Sequence, residues 1–423
     1  MWWEKIQRIW KIKDIRNNVL FVLGMLVIFR LAAHIPVPGM NTENLKSFLQ
    51  GNQIFGLMNL FSGGTMENFS IVMLGVAPYI TSSIIFQLLG MIYPKIEEMQ
   101  KEGEAGQQKI SMYTRLATVP LAFLQSYAMI NILRQSQFDI VGDITFFQLS
   151  SIMITITAGT MFLMWIGELI TDRKVGNGIS LLIFAGIISA VPGVLQNLII
   201  NYNSADLFIY VLFLIVAVIT IVAVVVISEG QRNIPVKYAR QIRGRSGQGQ
   251  QTHLPLRVNM AGVIPIIFAI SVVLFPPLIA QFFVGHIGII GTIARGTVEV
   301  FNNQTIYGIL YFLMVFGFTF FYTEVIFNPD KMAENLQRQG AFIPGIRPGK
   351  ETENYLKSTM NKIVLFGALF LAVIAVLPLI VQGLTHTQSL AIGGTSLLII
   401  VSVAIDIAKQ VESQITMHEY DRV

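Results

Sequence analysis

Long apolar runs separated by shorter polar segments form the dominant pattern of this chain. A helix needs roughly 20 apolar residues to cross a hydrocarbon core about 30 Å thick. Runs of this kind predict ten membrane-spanning helices, near residues 18–35, 70–92, 113–133, 150–170, 179–200, 207–228, 257–280, 305–327, 360–381 and 390–410. The first run could be a cleaved signal peptide, but Arg30 interrupts it and further runs follow, so we interpret it as a spanning helix. The predicted fold class is an all-α integral membrane protein.

The composition supports this fold class. Of the 423 residues, 53% are hydrophobic and 13% are charged, whereas soluble domains carry about 25% charged residues. The mean hydropathy of +0.64 agrees. These values exclude a set of soluble domains, a disordered chain and a soluble nucleic-acid-binding protein, although the net charge is +5. The lack of cysteine excludes disulfides, thiolate metal sites and cysteine nucleophiles.

Basic residues are distributed unevenly between alternate loops. If the N-terminus is inside, the external loops hold only Lys46, Arg134 and Arg295 of the 29 lysines and arginines. Cytoplasmic loops of membrane proteins carry an excess of positive charge. The distribution therefore predicts that both termini lie in the cytoplasm.

Two long hydrophilic loops lie on the predicted cytoplasmic side, at 229–256 and 328–359. They could be solvated charge that only fixes the topology. The first of them, however, places basic residues among Gly and Gln: Arg232, Lys237, Arg240, Arg243 and Arg245. Such an extended basic surface suits a polyanionic partner, for which ribosomal RNA and anionic lipid headgroups are both candidates.

One external segment, at 55–64, is apolar and amphipathic but too short to span a membrane. It could be a re-entrant or half helix, which survives at membrane depth only when it is buried in protein or lines a cavity. An interfacial helix on the outer leaflet and a simple packing element are the alternatives.

Motifs for catalysis or cofactor binding are missing from the chain. We find no nucleotide-binding, zinc-protease or serine-hydrolase motif, and the sequence predicts no catalytic residue, metal or cofactor. Three carboxylates, Glu168, Glu324 and Asp406, fall near cytoplasmic ends of spans. A proton-coupled secondary solute transporter, the main alternative function, would need a carboxylate nearer the midplane. Energy for any transport should therefore come from a partner.

Six short motifs occur in order along the predicted spans. They are Ile-Pro-Val-Pro-Gly at 35–39, Phe-Ser-Gly-Gly at 61–64, Glu-Gly-Glu-Ala-Gly at 102–106, Gly-Asn-Gly-Ile-Ser at 176–180, Thr-His-Leu-Pro-Leu at 252–256 and Gly-Ile-Arg-Pro-Gly at 345–349. Each alone is a weak signal. Together, in register with ten spans, they make the chain resemble the SecY family, whose members are the central subunits of the bacterial Sec protein-conducting channel.

The resemblance implies a channel subunit in the cytoplasmic membrane, through which unfolded preproteins cross and from which transmembrane segments pass sideways into lipid. Residues 1–200 and 201–423 would form two pseudo-symmetric halves of inverted topology around an hourglass pore. The resemblance also implies SecE and SecG as companion subunits, and the SecA ATPase or the ribosome as the driving partner. Signal sequences and preproteins would be the substrates, and Arg347 would join the basic loop in partner binding.

The resemblance assigns three groups of residues to the pore. A ring of bulky apolar side chains falls on Val76, Ile80, Ile179, Ile183, Ile267 and Ile399; it offers ions no ligands, yet can move aside for a polypeptide. A plug at about 55–66 includes Phe55, Leu57, Met58, Leu60, Phe61, Gly63 and Gly64. A lateral gate between spans two and three and spans seven and eight contains Thr81, Gln125 and Asn259, for which ordinary helix packing is the alternative role.

Overall fold

A computed structural model gives the architecture of the chain. It describes residues 10–38, 42–51, 59, 62, 64–134, 140, 142, 145–200, 207–238, 251–285, 288–385 and 393–420. These residues are predominantly helical, as the hydropathy pattern predicts, and also contain one small sheet.

The first part of the chain contains seven helices among the described residues. They are α1 (Lys13–Ala33), α2 (Thr42–Gly51), α3 (Ala77–Ile92), α4 (Pro94–Lys101), α5 (Glu104–Arg134), α6 (Phe146–Asp172) and α7 (Gly178–Ile200). The start of α6 follows from its sequence. The Thr145 hydroxyl accepts a hydrogen bond from the Gln148 backbone N–H, while the Gln148 side chain accepts one from the Thr145 N–H. This reciprocal cap satisfies two backbone donors that the helix itself cannot use.

The second part begins with α8 (Leu207–Glu229) and continues with strands β1 (Gln231–Tyr238) and β2 (Gln251–Arg257). The remaining elements are α9 (Ile264–Phe283), α10 (Ile289–Asn302), α11 (Gln304–Ile326), α12 (Pro329–Arg338), β3 (Ala341–Phe342), α13 (Lys350–Thr385) and α14 (Gly393–Tyr420). The Asn303 side chain caps α11 by accepting from the Thr305 and Ile306 N–H groups.

Each predicted span overlaps one of these helices. Six helical segments of the described residues, in α1, α5, α6, α9, α11 and α13, are long and apolar enough to cross a membrane. Shorter apolar segments lie in α3, α7 and α8. The chain is therefore a multi-pass helical membrane protein, while the count of ten spans stays a prediction.

The second span begins later than predicted. Residues 70–76 form turns rather than the first part of a helix, and α3 begins at Ala77. Gly75 has a φ of +57°, a left-handed conformation that a helix cannot continue through, and Pro78 lies in the first turn of α3. Val72 and Met73 are nevertheless fully buried. The hydropathy pattern identified a buried segment correctly but could not distinguish a turn from a helix.

The two predicted hydrophilic loops contain ordered structure. Strands β1 and β2 pair antiparallel, with Pro235 opposite His253, and β3 extends the sheet in the order β2-β1-β3. Ile234 and Val236 alternate with exposed neighbours and are buried on one face. Together with Leu336 on α12 they belong to a small core that also includes Leu356 on α13. The second loop is shorter than predicted, because α13 already begins at Lys350.

The helices pack so that the two parts of the chain meet on two sides. On one side α9 packs against α3 and α5, and on the other α14 packs against α7 and α1. One large apolar core links both sides and extends through α11 and α13. The region between α9 and α7, inside this core, is where the candidate site lies.

Candidate functional site

A cavity of about 60 Å³ lies between α3, α5, α7 and α9. Four of the predicted ring residues line it: Val76, Ile80, Ile183 and Ile267. All four are buried, and they come from both parts of the chain. The described residues that line the cavity include no charged side chain. An ion at this point would lose its hydration without gaining ligands, so the arrangement suits a barrier to ions.

The other two predicted ring residues lie in the same apolar core but do not line this cavity. Ile399 on α14 is fully buried within the core, and Ile179 packs against its edge. The lining of the cavity also includes the flexible thioether side chains of Met66, Met73 and Met129. Methionine fills irregular spaces and adapts its rotamers easily, so this part of the wall is deformable.

The start of α7 is fixed by an unusually close approach to α6. A methyl group on Gly178 would overlap the carbonyl oxygen of Gly167, so only glycine fits there. The Gly178 N–H donates to the Thr171 hydroxyl at 2.9 Å, and that hydroxyl donates to the Gly167 carbonyl at 2.8 Å. These contacts determine where Ile183 reaches the cavity. The Gly-Asn-Gly motif at 176–178 lies at this contact, but no local sequence pattern indicates its partners Gly167 and Thr171.

Two of the three predicted gate residues meet at the seam between α9 and the pair α3 and α5. Thr81 and Gln125 both line the cavity. The Thr81 hydroxyl donates to the Ala77 carbonyl of its own helix at 3.0 Å. Asn259 precedes α9 and is not among the described residues lining the cavity; its buried Oδ1 has no hydrogen-bond partner within the described part of the chain.

The predicted plug is only partly described. Phe55, Leu57, Met58, Leu60, Phe61 and Gly63 lie outside the described residues. The end of the segment forms a hydrogen-bonded turn, in which the Gly64 N–H donates to the Asn59 carbonyl and the Asn59 amide donates to the Glu67 carboxylate at 2.8 Å. Ser62 and Met66 from this segment line the cavity. The described end of the predicted plug therefore lies directly against the ring.

The predicted basic surface is also described in part. Arg232 and Lys237 are exposed on β1, and Arg347 is exposed in the turn before α13. Arg240, Arg243 and Arg245 lie outside the described residues. The Thr352 hydroxyl donates a hydrogen bond to the Arg347 carbonyl at 2.9 Å. This bond holds the turn that carries the exposed Arg347 side chain.

The three carboxylates near span ends lie away from the cavity. Glu168 forms an ion pair with Arg115, with 2.7 Å between Oε1 and Nε. Glu324 is exposed at the end of α11. The Asp406 carboxylate interacts electrostatically with Lys409 and Arg257. None of these carboxylates is among the described residues lining the cavity, so they do not form an ion-binding path through it.

An apolar cavity enclosed by the helices of a multi-pass membrane protein is typical of a membrane channel. A sequence model of the SecY family matches residues 70–408. The chain is 43% identical to the protein translocase subunit SecY of Halalkalibacterium halodurans, covering 98% of each chain, and 41% identical to that of Mycobacterium tuberculosis, covering 96% of each. The chain belongs to the SecY family.

Solved structures agree with this assignment. The fold matches that of a protein-conducting channel with a TM-score of 0.64 at 18% identity, covering 93% of this chain and 91% of the other. It also matches Sec61 in a canine ribosome–channel complex from the endoplasmic reticulum, with a TM-score of 0.60 at 17% identity and the same coverage. The function of the chain is that of a protein-conducting translocon subunit, and the solute-transporter alternative is not favoured.

Proposed function

We propose that unfolded preproteins cross the cytoplasmic membrane through the cavity between α3, α5, α7 and α9, and that transmembrane segments leave it through the seam beside α9. One observation carries this proposal. Four ring residues, two gate residues and two residues of the predicted plug segment all line a single cavity. Residues from distant parts of the sequence converge on one apolar opening, as a regulated pore requires.

In this proposal the ring is a compressible seal. Val76, Ile80, Ile183 and Ile267 close the cavity, and Ile179 and Ile399 complete the ring when the pore is occupied. Apolar side chains bind an extended polypeptide weakly, so the chain can slide past them, while ions are excluded at rest. Val76 is the last residue of the turn at 70–76 and directly precedes α3. This position allows Val76 to move without unwinding the helix.

The plug and the gate control access to this seal. The segment at 55–66 would fill the space beneath the ring, as the positions of Ser62 and Met66 support. The gate would open by parting α9 from α3 and α5. Hydrogen bonds between membrane helices average roughly 0.6 kcal/mol, whereas apolar burial contributes about 25 cal/mol per Å². A signal sequence that buries its apolar face in the seam would therefore outweigh polar contacts of this strength, and the Thr81 hydroxyl already bonds within its own helix.

The driving energy would come from partners, because the sequence predicts no catalytic site of its own. SecA or the ribosome, through its RNA and proteins, would dock on the basic surface of β1 and on the turn carrying Arg347. Arginine suits this docking because its fixed fork of donors binds carboxylates and phosphates bidentately. SecE and SecG would be companion subunits, and anionic lipid would compete for exposed parts of the surface. Both termini would lie in the cytoplasm.

The path can be tested by crosslinking, since the chain has no native cysteine. Single cysteines at Ile80, Ile183, Ile267 and Met66 should crosslink to a preprotein stalled during SecA-driven translocation in vesicles. The control is a cysteine at Val218, an exposed apolar residue of α8. Crosslinks at Val218 as strong as those at the cavity positions would contradict the proposed path.

The docking role can be tested by charge reversal. Arg347→Glu should abolish most SecA-driven translocation, because a carboxylate repels the acidic groups that a guanidinium binds. Membrane insertion of the protein itself should be unchanged, since Arg347 is exposed. Lys46→Glu, an equal charge reversal at an exposed residue of α2, serves as the control. Normal translocation by the Arg347 variant would remove that residue from the docking surface.

A further inference from the structure

Helix α10 connects two spanning helices at one membrane surface. It has 14 residues, too few to cross a bilayer, and lies between the end of α9 and the start of α11. Because β2 precedes the other end of α9, α10 lies on the membrane side opposite the sheet. Its depth is fixed by the ends of its two neighbours, which must both lie near the boundary between hydrocarbon and water.

Two faces of α10 have clear roles. At about 3.6 residues per turn, Gly291 and Ala294 fall on one face. Both are buried, and α10 packs against α9 and α11. Arg295 and Glu299 lie on a second, exposed face. The Arg295 Nε donates to the Gly291 carbonyl at 3.2 Å, so this side chain follows its own helix.

A third face of α10 is apolar and uncovered. The exposed fractions are 80% for Ile289, 62% for Ile290, 64% for Ile293 and 45% for Val300. Large apolar side chains are stabilised when they leave water, so a stripe of four is unfavourable in an aqueous environment. The packing face combines Gly291 and Ala294 with Phe301, which packs against the main apolar core, whereas the four residues of the stripe are directed away from the protein. A helix that packed only against the protein would have the opposite distribution.

The membrane is the apolar phase available to this stripe. Helix α11 begins two residues after α10 ends, and its first turns expose Ile306 and Ile309 in the same way. Those side chains belong to a spanning helix and face acyl chains. The stripe of α10 therefore continues a lipid-facing surface, with Arg295 and Glu299 on the side suited to headgroups and water.

We propose that α10 is an interfacial anchor whose stripe of Ile289, Ile290, Ile293 and Val300 inserts into the leaflet opposite the sheet, with lipid acyl chains as its partner. Since α10 packs on α9, which lines the cavity, the anchor ties the end of this helix to the membrane surface. Lipid composition and thickness then act directly on the position of α9.

Single spin labels test the anchor in the complete translocon, reconstituted in vesicles of phosphatidylcholine and phosphatidylglycerol. Labels at Ile293→Cys and Glu299→Cys are compared, with Ile289→Cys as a second position on the stripe. The measurement is the ratio of collisions with oxygen, which dissolves in lipid, to collisions with a water-soluble nickel chelate. We expect this ratio to be several-fold higher at 289 and 293 than at 299.

Two results would overturn the proposal. Equal ratios at 293 and 299 would place the stripe in water. Labels at 289 and 293 shielded from both reagents would mean that a protein partner or a second copy of the chain covers the stripe instead of lipid. All three positions are exposed, so the substitutions should not disturb packing, and unchanged translocation activity checks that each variant is folded.

Discussion

The two parts of the chain meet along two seams that are built differently. At the seam beside α9, the hydroxyls of Thr81 and Ser271 donate to carbonyls four residues back in their own helices, and a cavity lies between the helices. At the seam beside α14, the Gln414 amide donates across to the Lys174 carbonyl at 2.7 Å, and Ile407 packs near Gly176. The two hydroxyls beside α9 therefore bond within their own helices, whereas Gln414 bonds from α14 to the turn that precedes α7.

This difference bears on which of the two seams would open in the proposed function. Hydroxyls that bond within their own helices, as those of Thr81 and Ser271 do, stay paired when the helices separate. A seam with bonds between its helices loses them on separation. The structure therefore favours parting beside α9 while α14 stays attached to α7 and α1.

The largest effect is expected from Gly178→Ala, which disturbs α7, the helix against which α14 packs. The added methyl group would overlap the Gly167 carbonyl and push α7 from α6. We expect a loss of about 1–3 kcal/mol in stability, the usual cost of overpacking, seen as a lower midpoint of thermal unfolding in detergent. Gly193→Ala on the same helix, where a methyl group meets nothing within 4 Å, is the control. Equal midpoints for the two variants would show that the close contact does not fix α7.

A smaller effect should follow from Gln125→Leu, which adds apolar contact at the seam beside α9. Leucine buries more apolar surface in the cavity, and about 40 Å² at 25 cal/mol per Å² stabilises the closed seam by about 1 kcal/mol. Translocation should slow by about fivefold, because that energy must be overcome at each opening. The rate is measured with a fluorescent preprotein, SecA and ATP in vesicles. Leu124→Met on the exposed face of α5 is the control. A faster rate for Gln125→Leu would contradict the seam assignment.

The smallest effect is expected from Gln414→Leu, which removes the hydrogen bond from Gln414 to the Lys174 carbonyl at the seam beside α14. A hydrogen bond contributes about 0.5–1.5 kcal/mol, and this one is exposed, so we expect about 0.5 kcal/mol of lost stability. The unfolding midpoint should fall slightly, with Met417→Leu on the same helix as the control. If Gln414→Leu speeds translocation more than Gln125→Leu slows it, the two seams have been assigned the wrong way round.

Much of the helical framework could be predicted from hydropathy, because a bilayer allows few alternatives to apolar helices. The turn at 70–76 could not, since its residues are as apolar as a span, and only the left-handed Gly75 and the following Pro78 distinguish it. The sheet was missed for another reason. Pro235 and Pro255 lack a backbone donor and argue against strands, yet β1 and β2 pair through them.

Within the candidate site, the position of Ile183 can be related to a sequence motif. Ile183 lies five residues after Gly178, and the register of α7 carries it to the cavity. The supports of that register were not predictable, because Thr171 and Gly167 act through a contact between helices that no local pattern reveals. The same limit applies to Asn259, which precedes α9 and does not share the cavity with Thr81.

Helix α13 is the longest helix among the described residues, with 36 residues from Lys350 to Thr385. At 1.5 Å per residue it measures about 54 Å, well beyond the hydrocarbon thickness of about 30 Å. Leu356 and Met360 belong to the core under the sheet, and Leu371 and Ala372 to the core inside the membrane. Both cores therefore include residues of the same continuous helix, so they cannot shift independently along it. A displacement of the sheet relative to the membrane would therefore have to shift or bend α13.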